Sequence, residues 1–122
     1  MSKARPFRFG GGLFWATAMA EWADGARRLE SAGYDTLFTG DHFSSSFLAP
    51  VPALLAAAFA TTRLRVACTV FDNDFRHPAA LAKEIATADM LSGGRSSSAL
   101  APVGKRRAMT GQACRSNRLA SE

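Results

Sequence analysis

An aspartate and a histidine stand side by side at Asp41-His42, just after an apolar segment, and are the residues of this chain best suited to proton transfer. An imidazole titrates near neutrality, so it can take up or give up a proton, and a neighbouring carboxylate can orient it or balance its charge. The other reading of His42 is a side chain that caps or hydrogen-bonds its own loop. A second polar cluster runs Asp72-Asn73-Asp74, followed by Arg76 and His77. Asp-Asn-Asp is also good turn chemistry. Arg76 and His77 read as structural partners of neighbouring loop carbonyls. Gly10-Gly11-Gly12 lacks the GxGxxG spacing and the following acidic residue of a dinucleotide loop. His42 and His77 have no metal-ligand spacing with Cys68 or Cys114, so no metal is expected. Two cysteines make no disulfide framework, and Cys68, inside an apolar run, reads as a small core residue.

The elements that must position these groups alternate. Phe7 to Phe9 reads as a short strand ending in the glycine turn 10–12. Glu21 to Ala32 reads as a helix, with Trp22, Ala26 and Leu29 on one face and Gly33 at its C-cap. Tyr34 to Thr39 is a second strand, closed by Gly40. Pro50 to Thr61 is alanine-rich and helical, with proline near its start, where a missing N–H costs little. Leu64 to Phe71 is a near-continuous apolar run, the signature of a strand buried on both faces. Pro78 to Leu91 is a third helix, with Leu81, Ile85, Ala88 and Leu91 at helical spacing, ended by Ser92-Gly93-Gly94. The order β-α-β-α-β-α implies an α/β protein with parallel strands joined by right-handed crossovers. A doubly wound sheet and a (β/α)₈ barrel begin the same way, and a whole barrel needs about 250 residues.

Composition narrows the function classes. The chain has 122 residues, enough for one domain, and 48% of them are hydrophobic, as suits a globular protein. No apolar run reaches the roughly 18 residues of a bilayer span, and the N-terminus leads into a strand rather than a signal-peptide core. The sequence therefore places the chain in the cytoplasm, with no membrane partner. The formal net charge is +5, but residues 1–95 hold ten Lys/Arg against nine Asp/Glu. The remaining basicity sits in residues 96–122, where Lys105, Arg106, Arg107, Arg115 and Arg118 face only Glu122. That tail has no aromatic residue to stack on a base and no strong amphipathic period, so a nucleic-acid partner is the outsider reading.

Three segments carry a resemblance. They are FRFGGG at Phe7–Gly12, ARRLESAGYDTLFTGDHF at Ala26–Phe43, and TTRLRVACTVFDNDFRHPAALAKEIATADMLSGGR at Thr61–Arg95. Together they resemble the luciferase-like superfamily of flavin- and deazaflavin-dependent oxidoreductases over roughly residues 5–95. The resemblance implies the opening part of a TIM-type barrel, not closed, whose site forms at the C-terminal ends of the strands. It implies coenzyme F-420 as cofactor, with FMN as the alternative. It implies hydride transfer between that ring and a small organic substrate, or oxygen insertion in members that use molecular oxygen. It puts Asp41-His42 beside the ring, His42 as acid/base and Asp41 as its orienting or electrostatic partner. It places a bulge with a non-prolyl cis peptide near Thr69-Val70 as ring support. Asn73 would reach cofactor edge atoms, or be a turn residue only. Gly10 and Gly11 would leave room for ring or substrate, or form a simple turn.

The family pattern stops at Arg95. Ser96 to Glu122 is rich in Ser, Ala, Arg and Gly, has no strand alternation, and reads as loop or disorder. GC-rich codons assigned to it, with one base restored after codon 95, read VELGAGAGWEEAGYDGAGLP in the other frame, much like the family's fourth strand and following loop. The expectation is therefore two parts: 1–95, the start of a luciferase-like barrel, and 96–122, a non-homologous, out-of-frame tail. Strands one and three are then expected as bare sheet edges, which favours self-association or aggregation, and the chain alone is expected to be a non-catalytic remnant.

Overall fold

The structure, a computed structural model, describes residues 6–101. The order of elements is β1 (Gly10–Gly12), α1 (Met19–Ser31), β2 (Thr36–Thr39), α2 (Pro50–Ala60), β3 (Arg65–Asp72), a 3₁₀ turn (Asn73–Phe75), α3 (Pro78–Leu91) and β4 (Ser96–Ala101). The four strands form one open sheet in the order β1-β2-β3-β4, all neighbours parallel. This is the α/β architecture the alternation predicts, carried one strand further.

Local chemistry explains the helix boundaries. The Glu21 carboxylate closes the first turn of α1 by accepting from the Thr17 amide at 2.8 Å and its hydroxyl at 2.7 Å. Gly33, at φ +88°, then lets the chain reverse while the amides of Ala32, Gly33 and Tyr34 bond back to the carbonyls of α1. Pro50 opens α2 and Pro78 opens α3, each at a position where no N–H is needed. The bounds of α3 are those the sequence predicts.

The core lies between the sheet and the helices. Leu37, Val66 and Cys68 of the strands meet Trp22, Ala26, Leu54 and Leu81 of the helices. The Trp22 indole N–H, buried with its ring, donates to the Ala53 carbonyl at 2.8 Å and ties α1 to α2. By strand alternation Phe38 and Arg65 take the other face of the sheet.

Two expectations are corrected. The first strand is the glycine run itself, not Phe7 to Phe9, with Gly10, Gly11 and Gly12 opposite Thr36, Leu37 and Phe38. A Cβ on Gly11 would lie 2.5 Å from Leu29 and one on Gly12 would lie 2.8 Å from Phe14, so the missing side chains admit the protein's own rings and branches. The second correction is at Ser96. Ser96–Ala101 is not irregular but is β4, paired with β3 from Val66↔Ser96 to Asp72↔Ala101. Parallel pairing is made by backbone groups, so a strand with no fully buried side chain still completes the ladder that β3 offers. The free edges of the described sheet are thus β1 and β4, not β1 and β3. The basic tail positions and Cys114 lie outside the described residues.

Candidate active site

Every sequence-predicted site residue except Gly10 and Gly11 falls at the C-terminal ends of the strands. Asp41 and His42 follow β2, Thr69 and Val70 lie within the end of β3, and Asn73 opens the 3₁₀ turn after it. Here β3 departs from regular pairing. Its register with β4 shifts between Cys68 and Phe71, and the Thr69-Val70 peptide is cis, at the step the resemblance implied. Both residues are exposed, Val70 by 42%.

Asp41 is almost wholly buried, and its partners are not those expected. Its Oδ2 accepts from the Arg76 guanidinium at 2.5 Å, and its Oδ1 accepts from the other guanidinium nitrogen at 3.2 Å. Oδ2 also accepts from the Asp72 amide at 3.0 Å. A fork of two parallel N–H donors is the geometry that best compensates a buried carboxylate. Arg76 also lies over the Phe71 ring, 5.4 Å from its centroid. Asp41 therefore spends its charge on the β3 loop, not on His42. Arg76 is structural as expected, but through a carboxylate at the end of another strand rather than through loop carbonyls. His77 caps α3, its Nδ1 accepting from the Ala79 amide at 3.1 Å.

His42 is exposed and makes an edge contact with Phe47, ring centroids 4.6 Å apart. Phe47 meets Phe14 from the β1 loop at 5.3 Å, and Phe14 meets Phe38 at 6.2 Å. Phe43 meets Phe75 of the 3₁₀ turn at 4.1 Å. Aromatic residues from three strand-end loops thus surround the Asp41-His42 segment. They were missed in the sequence because loop residues share no period. The signal available was only the density of phenylalanine after each strand.

Gly10 is exposed in β1, and a Cβ there would lie 3.2 Å from the Phe38 ring. Its missing side chain makes room for Phe38. Cys68, beneath the site, is buried, and desolvation first, then the Asp41 charge, pushes its thiol up to about 12. It stays a neutral thiol, as a core cysteine should. Thr39, fully buried at the end of β2, has a hydroxyl with no hydrogen-bond partner among the described residues.

A cofactor of the flavin type fits this end of β3 on one observation. Thr69 and Val70 leave the ladder together and are both exposed, so that an apolar side chain is open to the face of a flat ring.

The comparisons agree on the fold. Residues 5–112 match the profile of the luciferase-like monooxygenases. Among solved structures, the coenzyme F-420 dependent tetrahydromethanopterin reductase from Methanopyrus kandleri superposes with a TM-score of 0.74 at 24% identity, over 87% of this chain and 30% of that one. The monooxygenase RslO1 from Streptomyces bottropensis gives 0.70 at 24% identity, over 88% and 36%. The oxygenating constituent of 3,6-diketocamphane monooxygenase from Pseudomonas putida, a type II Baeyer-Villiger monooxygenase in complex with FMN, gives 0.67 at 22% identity, over 77% and 27%. The chain thus spans about a third of the length of these structures. No curated protein matches it. The match covers most of the sequence and continues beyond Arg95, and the chain belongs to the luciferase-like monooxygenase family.

Proposed function

We propose that this chain carries the ring-support and proton-handling part of a flavin- or deazaflavin-dependent oxidoreductase acting on a small organic molecule in the cytoplasm. The observation that carries the reading is the exposed cis Thr69-Val70 step at the end of β3, with the Asp41-His42 segment anchored beside it. Coenzyme F-420, or FMN in its place, would supply hydride transfer when bound. Thr69 and Val70 would hold the ring's face and Asn73 its edge. His42, exposed and with no hydrogen bond to another described side chain, is free to exchange a proton with substrate through its imidazole nitrogens. Asp41 keeps the segment in place through Arg76 and the Asp72 amide. The phenylalanines around the segment exclude water from the ring's neighbourhood.

The chain spans about a third of the length of the solved structures it matches, so most of the cofactor's surface would be met by parts of the fold beyond the described residues. Residues 96–122 as an out-of-frame tail remains the reading of the alternative frame, and sequencing the locus tests it. An uninterrupted frame whose other phase, in the true codons, lacks family-like sequence would remove that idea.

Titration of the purified chain with oxidised and reduced coenzyme F-420, and with FMN, tests the function through ring absorbance and fluorescence. Weak, saturable binding that is lost in Val70→Asp is expected. Unchanged ring spectra at every concentration would overturn the ring-support reading.

A further inference from the structure

His42 sits between two anchored neighbours. On one side, Asp41 is held by Arg76 and the Asp72 amide. On the other, the Phe43 ring packs on Phe75 with centroids 4.1 Å apart. The two gripping residues are themselves adjacent, Phe75 and Arg76, at the end of the 3₁₀ turn. The turn is set by its own cap, Asp72, whose carboxylate accepts from the Asp74 amide at 3.0 Å. Asp72 is also two residues past Val70. One short segment therefore carries the cis step, the turn and both grips.

We infer that the Phe75-Arg76 pair is a positioning device, which fixes the His42 imidazole relative to the Thr69-Val70 peptide by gripping the residues on either side of it. The inference rests on the reading of His42 as the proton-handling group. The two grips differ in kind, and each does what the other cannot. The guanidinium fork is directional and fixes the rotation of the Asp41 carboxylate. It works out of water, since the Asp41 side chain is 3% exposed and that of Arg76 22%. The ring contact is less directional but closes the far side, where Phe43 itself is 57% exposed. Between them the main chain at His42 has little freedom, while its ring, exposed, makes no hydrogen bond among the described residues. A proton carrier held in place on a rigid support is what directed proton transfer requires.

The test is nuclear magnetic resonance on the full chain, reading two signals. One is the ring-current displacement of the His42 protons by Phe47. The other is amide exchange at Asp72. In Arg76→Gln the His42 displacement should collapse and exchange at Asp72 should quicken about tenfold or more, the loss of a charge-assisted bond. Arg76→Lys keeps the charge without the fork and should fall between. Phe75→Leu, which keeps apolar volume without the ring, should halve the displacement or more while leaving Asp72 exchange within about twofold. Glu30→Gln is the control, since it weakens the opposite end of the sheet and should leave the His42 signals where they are. Unchanged His42 signals in Arg76→Gln and in Phe75→Leu would overturn the inference. So would equal movement in Glu30→Gln, which would make the effect one of global stability. Should Arg76→Gln fail to fold, Arg76→Lys and Phe75→Leu decide alone. Absence of cofactor binding by the wild type would strike the functional reading and leave these signals as they are. Binding of the ring with His42 indifferent to both grips would strike the inference alone.

Discussion

The two ends of the sheet are built on opposite plans. At the N-terminal ends of the strands, charge is absorbed by main chain. The Glu30 carboxylate, at the end of α1, accepts from the consecutive amides of Thr62, Arg63 and Leu64 at 2.8–3.1 Å. Arg63 returns the contact to the Glu30 carbonyl. Arg95, just before β4, donates to the carbonyls of Ala58, Leu64 and Ser92 and to the Thr61 hydroxyl. Both ends of those interactions are satisfied within the fold. At the C-terminal ends the charges pair side chain to side chain, the rings are partly exposed, and the His42 nitrogens make no hydrogen bond among the described residues. Closed hydrogen bonding at one end gives stability, and open, aromatic, side-chain chemistry at the other leaves room for a ligand.

The contrast breaks most sharply at Glu30. Glu30→Ala leaves three amides of one turn without their acceptor, and a loss of about 2 kcal/mol is expected in urea unfolding, discounted for water that reaches Thr62 and Arg63. A loss below about 0.5 kcal/mol would mean that the turn does not depend on the carboxylate. The same group gives a pH signature. Desolvation raises the Glu30 pKa, but the amide bonds from Arg63, Leu64 and Thr62 outweigh it and hold the value below the ordinary carboxylate range. A lowered folded pKa stabilises the protein above the unfolded value, and that stability goes as pH falls through the folded one. Stability measured against pH should therefore fall on the acid side, and Glu30→Gln should flatten that limb.

Arg95→Met comes next, with about 1–2 kcal/mol lost as the carbonyls of Ala58, Leu64 and Ser92 lose their donor and the apolar chain keeps the packing. Thermal unfolding measures it, and no shift in midpoint would show that water replaces the guanidinium at no cost. Gly11→Ala should cost about 1 kcal/mol, since Leu29 must move away from the new methyl, though its flexible end can yield. A stabilised variant would show that β1 has slack. The smallest effect belongs to the open end. His42→Ala should change stability by less than about 0.5 kcal/mol, because the side chain is exposed and its described contact is with Phe47 alone. A loss as large as that of Glu30→Ala would erase the distinction between the two ends.

Much of the framework was legible residue by residue. Pro78 at its start and Ser92-Gly93-Gly94 at its end mark α3 to the residue, because a proline ring and two glycines at positive φ act on the backbone next to them. The apolar run from Leu64 marked β3 within one residue at each end. The site was legible in its residues but not in its partners. Asp41-His42 drew attention by type, yet the group that claims Asp41 is 35 residues away. Phe43 and Phe75 carried no pattern at all.

The sequence by itself determined the alternation of strands and helices, the stops of the helices and the family to which they belong. The alternation and the stops follow from side-chain period and backbone preferences, which act over a few residues, and the family from the resemblance carried by the segments 7–12, 26–43 and 61–95. Only the tertiary structure decided that the first strand is Gly10–Gly12, that Ser96–Ala101 is a strand, and that Asp41 is bound to Arg76. Each of these depends on what another segment offers. Phe38 and Leu29 fill the space above the glycines, the free edge of β3 supplies backbone partners to a serine run, and a guanidinium arrives from the next loop to neutralise a buried carboxylate. Pairing across such separations is paid for by burial and hydrogen bonding in three dimensions, and no local pattern encodes it.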